Sequence, residues 1–163
     1  MRLCSIFTDM TFVVDRINGV RDALGERTAA LPATDKSRAA LTAAADHLDA
    51  LRKRIVATKE GGMLTGEQRL REDLDDLYGN VVFYEGPPTA TEVERAEAIA
   101  RELADTDRDF ETWVAKTLPG LNARLGKNTI TVLSRSEWDK AHPAGNAAAG
   151  TTNTGSRIQV ERD

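Results

Sequence analysis

The sequence predicts an all-α fold: an antiparallel four-helix bundle with a short extended C-terminal clasp and a disordered tail. Three observations carry this. Leu41, Ala44, Leu48, Leu51 and Ile55 recur at steps of three and four, as do Leu70, Leu74, Leu77, Val81 and Tyr84, so each set lines one helix face. The glycine-bearing segment 59–66 between them is short, so the two faces should pack as a helical hairpin. Aromatics make up only 5% of the chain and there are only 5 prolines, which favours helices over a β-sandwich.

The first helix is expected over 8–24. Thr8 or Asp9 caps its start, Val13, Ile17, Val20 and Leu24 form its buried stripe, and Gly25 ends it. Residues 1–7 are expected to be irregular. The connector 26–33 is punctuated by Pro32. The second helix begins near Thr34 or Asp35 and runs to about Lys59, with Arg52, Lys53, Arg54 and Lys59 at the negative end of its dipole. Gly61 and Gly62 then stop it.

Thr65 and Gln68 read as a capping box opening the third helix, with Glu67 in the favourable first turn. That helix should persist to about Tyr84, where Glu85-Gly86-Pro87-Pro88 breaks it. The fourth helix carries two overlapping boxes, Thr89 with Glu92 and Thr91 with Glu94. Its stripe is Ala96, Ile99, Leu103, Thr106, Phe110 and Trp113. Pro119-Gly120 should kink or end it, with Leu121 and Leu125 extending the stripe beyond. Thr129-Ile130-Thr131-Val132-Leu133 reads as extended, and Ser136-Glu137-Trp138-Asp139 as a short turn. The bundle domain with its clasp is therefore expected over 8–142. Residues 143–163 are Ala, Gly, Asn and Thr-rich, bury almost nothing, and are expected to be disordered.

The chain has 163 residues, enough for one domain with a real core. Its net charge of −4 leaves no overall basic footprint for nucleic acid. No apolar run is long enough to span a bilayer, so no transmembrane segment is expected. The start lacks the long apolar core of a signal peptide. Cys4 is the only cysteine, so no internal disulfide can form. Compartment does not follow from these features.

No catalytic, cofactor-binding or metal constellation is expected. Asp105-Thr106-Asp107-Arg108-Asp109 imitates a calcium loop, but Phe110 stands where glycine is needed and Lys116 where the bidentate glutamate belongs. Glu72 and Asp76 share a helix face, as an acid–base pair would, yet nothing nearby supplies a third group; with Asp73 and Asp75 they read as a solvated charged face. His47 and His142 belong to no Glu-x-x-His or His-Glu-x-x-His pattern. Gly61, Gly62 and Gly66 lack the Gly-Lys-Ser/Thr of a phosphate loop. Arg52, Lys53 and Arg54 are diluted by Asp49 and Glu60, without interleaved aromatics. Phe110 and Trp113, at stripe spacing, belong to a core sooner than to a ligand groove.

Several turn and helix signatures suggest a family. Arg54-Ile55-Val56-Ala57-Thr58-Lys59-Glu60-Gly61-Gly62, Thr65-Gly66-Glu67-Gln68-Arg69-Leu70-Arg71-Glu72 and Leu77-Tyr78-Gly79 resemble the C-terminal helical region of bacterial sortilin-type β-propeller proteins, often labelled glycosyl-hydrolase-like. Tyr84-Glu85-Gly86-Pro87-Pro88-Thr89 and Leu118-Pro119-Gly120-Leu121-Asn122 fit the same pattern. The resemblance covers roughly 8–138. The propeller, which would hold any glycosidase-like site, is absent from this stretch, so no functional residue carries over. The resembled family is often exported.

The resemblance implies a non-catalytic packing or interaction module whose partner is a protein, either a second copy or a β-propeller. The alternative is an accessory fragment of a hydrolase whose active site lies on a separately encoded propeller. The candidate interaction surface is Phe7, Met10, Phe12 and Val14, which lie near or off the first helix's stripe and should leave apolar surface exposed.

Overall fold

The computed structural model describes residues 3–58 and 67–143. Helices take in 77% of these residues and no strand occurs among them, so the chain is all-helical. It divides into two compact units, Met1–Leu133 and Ser134–Asp163. The first holds α1 (Leu3–Ala30), α2 (Ser37–Ile55), α3 (Leu70–Phe83), α4 (Ala90–Lys116) and α5 (Leu118–Leu125); the second holds α6 (Arg135–Ala141).

In the first unit α1 packs most extensively on α2, and α3 on α4, with α2 and α5 also meeting α4. The inner faces are the expected stripes. Ile17, Val20 and Leu24 of α1, Leu41, Leu48 and Ile55 of α2, Leu74 and Leu77 of α3 and Phe110 of α4 are almost fully buried. Every member of the predicted α4 stripe, from Ala96 to Trp113, is buried. Thr106 joins them because its hydroxyl donates to the Glu102 carbonyl at 3.0 Å and is thereby satisfied within its own helix.

Several helix ends differ from expectation. Residues 3–7 are helical rather than irregular, and α1 runs through Gly25 to Ala30. The Arg38 guanidinium, at the start of α2, donates to the Thr28 carbonyl in the last turn of α1 at 2.5 Å and to the Leu31 carbonyl just past it at 2.7 Å. The Asp35 carboxylate accepts the Ser37 backbone N–H at 2.7 Å and opens α2.

α2 stops at Ile55 instead of Lys59, because Val56 turns to an extended conformation. α3 starts at Leu70, not Thr65. Glu67 is therefore no first-turn residue; its carboxylate accepts from both the backbone N–H and the hydroxyl of Thr58 at 3.4 Å. The capping role falls to Glu72, which accepts the Arg69 backbone N–H at 3.1 Å. The Thr65–Gln68 box, the Gly61-Gly62 stop and the expectation for 144–163 lie outside the described residues.

α4 opens on Thr89 as expected. Its hydroxyl accepts the Glu92 N–H at 3.3 Å, and the Glu92 carboxylate accepts the Thr89 N–H at 2.7 Å. The helix breaks at Thr117, and α5 begins with proline in its first turn, where a missing N–H costs nothing. Gly126 closes α5 at φ +61 and ψ −111, a conformation that side-chain-bearing residues avoid. Gly126→Ala should therefore lower stability by about 1–3 kcal/mol, read as a shift in the urea midpoint. Wild-type stability in that variant would mean the backbone relaxes there.

Residues 129–134 form neither helix nor strand. Ile130 in this stretch is buried. Asn122 holds it with two hydrogen bonds, its amide donating to the Ile130 carbonyl at 2.9 Å and its carbonyl accepting the Ile130 N–H at 2.8 Å. In the second unit, Ser134 and Glu137 form a capping box for α6. The hydrogen bonds from Ser134 hold the Glu137 carboxyl below the usual glutamate range. Trp138 is stacked by the His142 ring at 4.4 Å and approached by the Arg135 guanidinium at 5.4 Å.

Candidate functional site

The outer face of α3 is the most unusual surface of the first unit. Leu70, Leu74 and Leu77 point inward, and Val81 is half-buried. The intervening positions therefore face outward at the same spacing. There the chain carries large apolar side chains where polar ones are the norm. Phe83 is 88% exposed, Tyr84 60%, Val82 55% and Tyr78 42%, an apolar cluster rather than a scattered residue. Tyr84 thus leaves the stripe expected of it: it is the C-cap, already extended, and no longer follows the helical period.

Phe83 and Tyr84 share an open hollow with Asp75, Asp76, Gly79 and Asn80. Gly79 supplies the gap between the carboxylates and the rings. Among the described residues Asp75 and Asp76 have no ion-pair partner. The last turn of α3 holds no basic residue, so its dipole adds negative potential at this end. Asp75 also lines a neighbouring groove with Phe7, Met10, Val14, Val56 and Arg71, which joins α1 to the aromatic face. Phe7 meets Tyr78 edge-on, with ring centroids 5.7 Å apart.

The four residues expected to form an interaction surface divide here. Phe7 and Val14 are half-buried and line that groove. Met10, at 3% exposure, and Phe12, at 9%, are core residues and not free surface. Phe12 is buried because α1 has a second inward edge, with the Arg16 guanidinium 5.1 Å from the Phe12 ring and 5.1 Å from the Phe110 ring. Sequence reasoning passed over the aromatic end of α3. Five apolar residues among the seven at 78–84, interrupted only by Gly79 and Asn80, are the signal for it.

The chemistry weighed on the sequence finds other roles. Glu72 caps α3, and Asp76 is exposed. Asp105, Asp107 and Asp109 lie within α4 and pair with Arg108, Arg16 and Arg54 respectively. Among the described residues no group of three or more His, Cys, Asp or Glu could hold a metal ion, and no helix is long and apolar enough to cross a membrane. His47 is exposed and stacks on Trp113, centroids 6.3 Å apart.

Two carboxylates sit in contrasting fields. Burial pushes the Asp107 carboxyl above the usual aspartate range, and the nearby Arg16 charge only partly offsets this. The hydrogen bond from Lys53 holds Asp49 below that range, with Arg21 adding to it. Asp49 therefore contributes stability above the ordinary aspartate value that is lost as pH falls through its depressed one. The Asp107 contribution is present below the ordinary value and lost as pH rises through its raised one. A carboxyl NMR titration should find Asp49 titrating below Asp107; the reverse order would contradict these environments.

No protein-family model, curated protein or solved structure matches this chain.

Proposed function

We propose that this chain is a non-catalytic helical packing and interaction module that binds another protein through the aromatic end of α3. One observation carries the reading: Phe83 stands 88% exposed in a cluster with Val82, Tyr84 and Tyr78. Leaving such a cluster in water is unfavourable, and clusters of this kind mark association surfaces. Aromatic side chains also dominate the energetics of protein interfaces.

The scaffold in this reading is an antiparallel four-helix bundle of α1 to α4. The stretch 129–133 acts as its clasp, held by Asn122 and by the Arg16 Nε donating to the Leu133 carbonyl at 3.1 Å. The turn signatures that resemble those of sortilin-type propeller proteins, such as Leu77-Tyr78-Gly79 and Tyr84-Glu85-Gly86-Pro87-Pro88, include two residues of this aromatic cluster, Tyr78 and Tyr84. They support a β-propeller or a second copy as the kind of partner.

The test is binding with and without Phe83. The chain is sedimented over a concentration series, alone and with a recombinant sortilin-type β-propeller. A complex in either experiment that Phe83→Asp abolishes is the expected result. A chain monomeric throughout and indifferent to the propeller would overturn the module reading.

A further inference from the structure

A second surface of the first unit complements the aromatic end of α3. α2, α4 and α5 line an open groove with Ala40, Ala43, Ala44, His47 and Trp113, the His47 ring stacked on the buried Trp113. The alanines leave room where longer side chains would fill it. Lys116 and Arg124 line it, both exposed, and no carboxylate does. Among the described residues neither cation has an ion-pair partner. The α3 hollow is the opposite in each respect: it projects Phe83 and Tyr84, carries Asp75 and Asp76, and is lined by no cation. The two surfaces share no residue.

Resting on the module reading, the geometry points to head-to-tail self-association, with the α3 end of one copy seated in the alanine groove of the next. Phe83 lies over the alanines beside the exposed His47 ring, and Asp75 and Asp76 face Lys116 and Arg124. A two-fold arrangement through α3 alone would bring two acidic patches together with no cation in the hollow to offset them, which like charges oppose. A heterologous contact avoids this, and it leaves a free surface at each end for further copies. The charged rim also makes the contact sensitive to salt.

Complementation tests this. Phe83→Ala removes the projection, and Lys116→Glu with Arg124→Glu reverses the groove. All three residues are surface-exposed, and a thermal melt of each variant checks that it folds. In sedimentation velocity the wild type should grow in size with concentration, and each variant alone should associate at least about tenfold more weakly. A mixture of the two should form a dimer and nothing larger, since one intact end and one intact groove remain. Association in the wild type that the mixture fails to restore would overturn the head-to-tail contact. So would a wild type that stays monomeric. If that monomer still binds a propeller through Phe83, the module reading stands and only the self-association falls.

Discussion

Phe110→Ala should lower the unfolding free energy by about 3–5 kcal/mol, the cost of removing a buried aromatic ring and leaving a cavity. Phe110 is 0% exposed and lies on the inner face of α4. Its ring also faces the Arg16 guanidinium at 5.1 Å, so the substitution removes a cation–π contact as well. A domain of this size holds about 5–15 kcal/mol in total. The variant should therefore unfold at much lower urea concentration, with an unchanged slope if the native state stays compact. A midpoint shift worth under about 1 kcal/mol would mean that the site collapses to fill the void, and that Phe110 is not the anchor of this core.

Arg16→Ala should cost about 2–4 kcal/mol, from lost packing and from carboxylates left without their counter-charge. The Arg16 side chain is 10% exposed. It donates to Asp107 at 3.3 Å and to the Leu133 carbonyl at 3.1 Å, and it pairs with Glu111. Asp107 and Glu111 remain partly solvated, at 36% and 50% side-chain exposure, which keeps the cost below that of a fully buried pair.

Arg16→Met separates the two contributions, since it keeps an apolar stem between the rings. It should recover part of the loss. The remainder should shrink as pH falls, because the Asp107 carboxyl, already raised by burial, rises further without Arg16 and is relieved by protonation. Melts at neutral pH and in the lower carboxylate range measure this. A pH-independent deficit would assign the effect of Arg16 to packing alone.

Arg16 marks where the sequence stops being informative. An arginine one position before Ile17 carries no local signal of burial. It is buried because α4 brings Asp107, 91 residues away in sequence, against that edge of α1. Phe12 went the same way: it lies off the stripe, yet the second inward edge buries it. The exposed aromatic end of α3 was legible in part, since Val82 and Phe83 fall outside the period of Leu70, Leu74 and Leu77. Whether another helix covered them depended on how α1 and α4 pack around α3.

By itself the sequence determined the helical class, the inner stripes of α2 and α4, and the Thr89–Glu92 box that opens α4. The Ser134–Glu137 box of α6 was equally legible, though the reading placed only a turn there. These features depend on the 3.6-residue period and on hydrogen bonds spanning three or four residues, so they act within a single turn. Tertiary structure decided where α1 and α3 begin and end, which edge of α1 holds a buried cation, and which apolar residues stay in water. The buried cation and the exposed apolar residues depend on which other helices pack against them. Arg38 of α2 satisfies the Thr28 carbonyl in the last turn of α1, and Phe83 stays exposed because none of the described helices packs over it. Periodicity ranks residues along one helix, while burial depends on whether a second helix arrives.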